Sequence, residues 1–365
     1  MKRSFKNVKY KILIYSLVLK NKIELRCEIM EDITKIVIDA MGGDNAPLCN
    51  VQGAVDSVNE FDDVHIILVG KESIIKEELS KFEYDKSKIE IVNAEENISC
   101  DEPPVMAVRR KKDSSIVVGM KMVKEGKADA FLSAGSTGAV LVGGQFIVGR
   151  LKGVDRPPLA PLLPTEKGVS LLIDCGANVD ARANHLLQFA KIGSAYMEGI
   201  VGIDKPKVAI VNIGAEEEKG NMLVKEAYPL LANCSDINFI GSIEARDIPK
   251  GDADVIVSEA FVGNVILKLY EGLAATLIKC IKKGMMSSLK SKLGALLCKS
   301  AIKDTLKEFD ADKYGGAPLL GLNGLVVKVH GSSHNVEVKN AVAQCIQFKK
   351  QDIQGKIQEK ISNVD

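Results

Sequence analysis

Lys35-Ile36-Val37-Ile38-Asp39-Ala40-Met41-Gly42-Gly43-Asp44-Asn45-Ala46-Pro47 is the stretch on which the reading of this chain turns. A short apolar run ends on an aspartate and passes into a loop with two glycines, a second aspartate and a proline. The run reads as a buried strand. In an open α/β sheet, the crevice beyond the carboxyl ends of the strands is where ligands bind. Glycines there let the backbone approach a ligand closely. Two readings stand side by side: a binding loop carrying Asp39, Gly42, Gly43 and Asp44, or an ordinary turn in which Asp44 or Asn45 caps a helix starting near Pro47.

The rest of the chain repeats this grammar. Apolar runs of strand length recur at Val64–Gly70, Ile89–Val92, Ala130–Ser133, Val169–Asp174, Val208–Ile213, Ile237–Ile240, Val255–Ser258 and Leu325–Val329, with helical patterns between most of them. This βαβα alternation predicts a three-layer α/β sandwich, a mostly parallel sheet covered by helices on both faces. Several runs end like the first, in Ala134-Gly135-Ser136-Thr137-Gly138, in Asp174-Cys175-Gly176-Ala177-Asn178-Val179-Asp180, in Asn212-Ile213-Gly214 and in Ser258 leading to Gly263-Asn264. Together they predict one long cleft along one edge of the sheet.

Composition narrows the classes. With 365 residues, 46% hydrophobic, the chain can build a sizeable core. A net charge of +1, aromatics at 5% and no tryptophan supply neither the basic patch nor the stacking platform of a nucleic-acid binder. The eight cysteines form no C-x-x-C pair, so they read as reduced thiols of a cytosolic protein. His330 and His334 flank a Gly-Ser-Ser stretch that makes a poor helix, and no metal site is expected. The first 34 residues differ from the remainder. Lys2, Arg3, Lys6, Lys9 and Lys11 precede the apolar run 12–19, but Lys20 follows at once and no small-residue cleavage site appears. Residues 1–34 are therefore expected to be an extension, with Met30 a start of the native chain, and 35–360 a single α/β domain.

From Glu271 to Phe309 the alternation stops. This segment carries eight lysines against Glu271, Asp304 and Glu308, and an apolar series including Leu277, Ile281, Met285, Leu289, Leu293, Leu296 and Leu297. It predicts a protruding helical hairpin broken at Gly284 and Gly294. Such a surface suits an anionic membrane, a partner subunit, or an acidic protein.

The chemistry-bearing loops point to an anion. Ser133, Gly135, Ser136 and Thr137 place hydroxyls and free backbone N–H groups at a helix start, where the positive end favours phosphate; the plainer reading is a helix cap. The loop fits neither the Walker nor the dinucleotide fingerprint. The run Arg109-Arg110-Lys111-Lys112 is a source of one or two cations for the cleft or a solvated face. Asn212-Ile213-Gly214 continues through Glu216-Glu217-Glu218 to Lys219-Gly220-Asn221, either a ligand-approaching loop or a solvated acidic turn. Tyr314-Gly315-Gly316-Ala317-Pro318-Leu319-Leu320-Gly321 is apolar and Gly-rich, suited to an acyl or pantetheine channel or to a turn under the sheet.

Asp39–Pro47, Asp101–Pro104, Arg109–Ser115, Ser133–Ala139, Asp174–Asp180, Asn212–Gly214 with Lys219–Asn221, Arg246–Pro249, Phe261–Asn264 and Tyr314–Gly321 together resemble the bacterial phosphate acyltransferases. The resemblance covers about residues 35–345. Two departures are Glu259-Ala260, where aspartate–glycine is usual, and Ala181–His185, which lacks the usual proline. The resemblance implies transfer of an acyl group from acyl–acyl carrier protein to phosphate for phospholipid synthesis. It also implies a fold similar to phosphotransacetylases and isopropylmalate dehydrogenases, a homodimer, and a cytoplasmic protein peripherally attached to the inner face of the cell membrane through 271–309.

That chemistry suits the residues. Phosphate is partly dianionic near neutral pH, and a thiol of pKa about 8.5 departs without a strong acid. Orientation and oxyanion donors then suffice, with no triad, metal or cofactor. Ser133, Gly135, Ser136 and Thr137 are the phosphate candidates, helped by Lys112 or Lys219. Asn178, Asn212 and Asn264 are the oxyanion or thioester-orienting candidates, with Asp39, Asp44 and Asp180 organising them. Gly42, Gly43, Gly214, Asn221, Gly315 and Gly316 complete the expected substrate site. The competing readings are a nucleotide-dependent dehydrogenase and a membrane-docked scaffold without activity.

Overall fold

The computed structural model describes residues 33–308 and 311–362; the basic and apolar stretch 1–29 and the start at Met30 lie outside them. Where one sheet was expected, the strands of the described residues form two. The first carries β1 (Thr34–Asp39), β2 (Val64–Gly70), β3 (Ile89–Asn93), β4 (Ala130–Ser133), β10 (Ala317–Leu319) and β11 (Leu325–Lys328), in the order β10-β11-β4-β1-β2-β3. The second carries β5 (Leu162–Thr165), β6 (Gly168–Ile173), β7 (Lys207–Asn212), β8 (Asn238–Glu244) and β9 (Val255–Val257), in the order β5-β6-β9-β7-β8. All pairings are parallel except β10 with β11 and β5 with β6. Those two antiparallel edge strands escaped the sequence reading. Each is short and contains a proline, which removes a ladder donor and confines a strand to an edge.

Burial explains the continuous apolar runs. Ile36 and Ile38 of β1 join one buried cluster while Val37 joins another on the opposite face. In the second sheet Leu171 and Ile173 face the first of these clusters and Leu172 faces a third. Side chains alternate sides along a strand, so a strand covered on both faces must be apolar throughout. The cluster containing Ile36 and Ile38 also holds Val208, Ile210, Val255 and Val257, so the two sheets share one core. It lies beneath the helices α1 (Leu48–Glu60), α2 (Glu72–Leu79), α6 (Ala183–Tyr196), α7 (Met222–Ala232), α10 (Asn335–Lys350) and α11 (Ile353–Ser362). Over the other face of the first sheet pack α3 (Pro104–Arg110), α4 (Ser115–Lys124) and α5 (Thr137–Gly143).

The segment 158–161 stitches the sheets together. Ala160 N donates to Pro318 O at 3.0 Å and Leu320 N to Pro158 O at 3.0 Å, on the edge of the first sheet. Leu172 N donates to Pro161 O and Cys175 N to Leu159 O, both at 3.0 Å, on the second.

Two long helices protrude, α8 (Ala260–Met285) and α9 (Leu289–Glu308). Glu259, one of the departures from the family pattern, caps α8 by accepting from Phe261 N at 2.7 Å and Val262 N at 2.9 Å. Only the first turns of α8 are buried, through Ala260, Gly263 and Ile266. From Leu269 onward its leucines and isoleucines are exposed, as are Leu289, Leu293, Leu296 and Leu297 of α9. The chain breaks just after Gly284, as expected, but Gly294 lies inside α9, where one glycine costs only about 1 kcal/mol.

Candidate active site

A cavity of about 740 Å³ opens between the carboxyl ends of β1, β4 and β11, the stitching segment and α8. This is within the range of about 300–1,000 Å³ usual for small-ligand sites. Its two ends differ in chemistry. Met41 to Asp44, Asn97 to Cys100, Ala134 to Thr137 and Lys328 to Gly331 make a polar end. Leu159, Pro161 to Pro164, Leu267, Tyr270 and Ala274 make a mainly apolar one, into whose wall α8 also brings Lys268 and Glu271.

The polar end is built around Asp39, which is fully buried at the end of β1. Its carboxylate accepts from Ser133 Oγ at 2.7 Å and from Met41 N at 3.1 Å. Burial holds this carboxyl above the usual carboxylate range, against the pull of those donors. Gly135 N in turn donates to Ser133 Oγ at 3.0 Å. Asn50 of α1 ties the opening loop by donating to Asp39 O, Ala40 O and Gly42 O at 3.1, 3.2 and 2.8 Å. The loops of β1 and β4 touch: a Cβ on Gly42 would lie 2.7 Å from Gly135 N. Only glycine permits that approach.

The opening loop is therefore not a capping turn. The helix after it has Pro47 at its cap with no side-chain bond. Asn45 Nδ2 instead donates to Ser332 O and Ser333 O at 3.0 and 3.1 Å, and Asp44 N to Gly331 O at 2.7 Å. In the loop after β4 the capping reading holds, since Ser136 accepts from Ala139 N at 3.4 Å as the cap of α5; the same residue also lines the cavity.

Of the residues singled out from the sequence, Gly42, Gly43, Asp44, Gly135, Ser136, Thr137, Asn264, Gly315 and Gly316 line this cavity. Asp39 and Ser133 stand directly behind it. Gly316 N donates to Gln344 Oε1 at 3.0 Å, and Gln344 Nε2 to Tyr196 Oη at 2.8 Å, which fixes the Gly315-Gly316 wall. Others are placed elsewhere. Lys112 Nζ turns back to Val108 O at 3.3 Å. Asn178 Nδ2 donates to Asp174 Oδ2 at 2.8 Å and Pro157 O at 3.0 Å, locking the loop after β6. Asp174 is buried and its carboxyl is raised by that burial. Asn212 Nδ2 donates to Lys219 O and Ser242 Oγ, both at 3.1 Å, and Asn221 caps α7 by accepting from Val224 N at 2.9 Å. Lys219 pairs with Glu216 at 2.8 Å on the surface beside Gly214, and Asp180 is exposed.

Sequence reasoning passed over Lys328, Lys268, Tyr270 and the apolar wall. Lys328 ends β11 with only 9% of its surface exposed, and its Nζ donates to Ala134 O at 3.2 Å and to Val329 O. The signal was there: a lysine inside the apolar run Leu325–Val329 is anomalous, because lysine is rarely buried without a partner. Tyr270 Oη donates to Pro164 O across the apolar end.

The architecture is that of the phosphotransacetylases. The EutD phosphotransacetylase from Staphylococcus aureus superposes with a TM-score of 0.57 at 20% identity, covering 89% of this chain and 97% of that one. A phosphotransacetylase from Streptococcus pyogenes gives 0.58 at 19% identity, covering 90% and 98%. The chain itself belongs to the phosphate acyltransferases: the family model described as fatty acid synthesis protein matches residues 34–356. A phosphate acyltransferase of Alkaliphilus oremlandii is 51% identical over 330 residues, 90% of this chain and 98% of its own. One of Clostridium botulinum is 52% identical over 309 residues, 85% of this chain and 92% of its own.

Proposed function

We propose that this acyltransferase moves a fatty acyl group from the thioester of acyl–acyl carrier protein to inorganic phosphate, giving acyl phosphate for phospholipid synthesis. The observation that carries this is the two-ended cavity, which puts an anion loop next to an apolar wall. Phosphate held by Gly135, Ser136 and Thr137 presents an oxygen to the thioester carbonyl carbon. The new C–O bond forms as the carbonyl pair moves onto its oxygen. Collapse of that tetrahedral anion breaks the C–S bond, and the departing thiolate takes a proton from water. Asn264, at the cavity wall on α8, is the oxyanion or thioester-orienting donor. The acyl chain lies along Leu159, Leu162, Leu163 and Leu267.

The protruding hairpin supports a peripheral membrane site on the cytoplasmic face. One described helix, Ala260–Met285, is long and apolar enough to cross a membrane. Its first turns are tied into the core, however, and Lys279, Lys282, Lys283, Lys290 and Lys292 accompany its exposed leucines and those of α9. A basic, apolar surface of this kind lies on anionic lipid. A homodimer fits the exposed Val179, Ile213, Met222 and Phe261 at the loops of the second sheet. The test of the reaction is incubation with acyl–acyl carrier protein and phosphate. Phosphate-dependent appearance of acyl phosphate with free carrier thiol supports the reading; release of fatty acid by water alone overturns it.

A further inference from the structure

We propose that Lys328 is the cation that binds the substrate phosphate. The proposal deepens the reading above and rests on it for the identity of the anion. A phosphate dianion in a half-enclosed site needs a compensating positive charge, and backbone N–H groups carry only partial charges. The cations expected from the sequence do not provide it: Lys112 and Lys219 do not line the cavity, and Lys219 is held on Glu216. Among the described residues, the lysines of the cavity wall are Lys268 and Lys328. Lys268 sits on exposed α8 and pairs with Glu271 at 2.8 Å.

Lys328 is placed for the task by the strand register. β11 runs parallel to β4 with Lys328 opposite Ser133, so its side chain emerges at the start of the anion loop. The bond from Nζ to Ala134 O at 3.2 Å fixes the ammonium one residue from Gly135. An ammonium has three donors. Ala134 O and Val329 O take two, and the third is left for an anion. The titratable groups facing it are Asp39 at the end of β1, Asp44 in the opening loop, Cys100 in the wall and Lys268 on α8. Burial lowers the ammonium to about 8, so it carries its charge at neutral pH and loses it just above. A lysine that served only to tie two carbonyls would not need a place on the cavity wall.

The test is phosphate binding to the full-length protein, read without any acyl donor by the phosphate-dependent rise in melting temperature and by direct titration. Lys328→Met is expected to weaken phosphate affinity about tenfold or more, with Lys328→Arg restoring part of it. In the wild type, affinity is expected to fall as pH rises from 7 to 9.5, as Lys328 deprotonates. A folded Lys328→Met protein that binds phosphate within about twofold of wild type overturns the proposal. If that variant does not fold, the wild-type pH series decides, and a flat affinity to pH 9.5 overturns it. Because no acyl carrier is present, failure here is distinct from failure of the acyl-transfer reading, which the complete reaction tests separately.

Discussion

Ser133 Oγ donates to Asp39 Oδ2 at 2.7 Å across the gap between β4 and β1, while accepting from Gly135 N at 3.0 Å. One hydroxyl thus joins a buried carboxylate to the backbone of the loop after β4. The polar end of the cavity depends on that relay rather than on a loop folded by itself.

Ser133→Ala is expected to destabilise the fold by about 1–3 kcal/mol, since it leaves a buried acceptor without its donor. The effect is pH-dependent. Burial raises the Asp39 carboxyl, so the folded chain holds its proton more tightly than the unfolded chain. Its stabilisation is complete below the unfolded carboxylate range and is lost as pH climbs through the raised folded value. Removing Ser133, which lowers that value, widens the window. Urea unfolding should show a larger penalty for Ser133→Ala at pH 8 than at pH 5.

Gly42→Ala would force its Cβ against Asp39 Oδ2 and Gly135 N. The two loops must part, at a cost of about 1–3 kcal/mol. Phosphate protection against thermal unfolding is expected to disappear even where the variant remains folded at 25 °C.

Asn264→Ala removes an exposed side chain from the cavity wall. Stability should stay within about 0.5 kcal/mol of wild type. The value of kcat should fall about a hundredfold, as for loss of one oxyanion donor. Lys219→Ala is expected to be equally neutral for stability, its partner Glu216 being a surface carboxylate. Steady-state kinetics on that folded variant should show wild-type turnover, because Lys219 stands off the cavity wall on Glu216; reduced turnover would bring the second sheet's loops into the reaction.

Lys290→Glu with Lys292→Glu should weaken sedimentation with anionic vesicles more than about tenfold, each lysine near such a surface contributing about 1 kcal/mol. Binding should also fall with added salt. Retained binding after both reversals rules out the hairpin as the membrane contact.

The parallel strands and the polar loops at their ends were legible because their signals are local. An apolar run ending in small and polar residues identifies a strand end wherever it occurs. The departures have equally physical causes. Asn178 and Asn212 carry the right groups for an oxyanion, but their amides are spent on Asp174, Pro157, Lys219 and Ser242. Spacing along the chain cannot show whether a donor is already taken.

What the sequence determined by itself, then, is the α/β class, the family, and Ser133–Thr137 as a polar loop at a strand end. Only the tertiary structure decided which loops share a site. The strands divide into two sheets whose edges are joined at 158–161, and that junction brings Leu159 and Pro164 opposite Gly135 and Lys328 across one cavity. The reason is the core: burying β1 and β6 on both faces sets how the sheets meet, and contacts between residues more than a hundred positions apart leave no periodic trace in the chain.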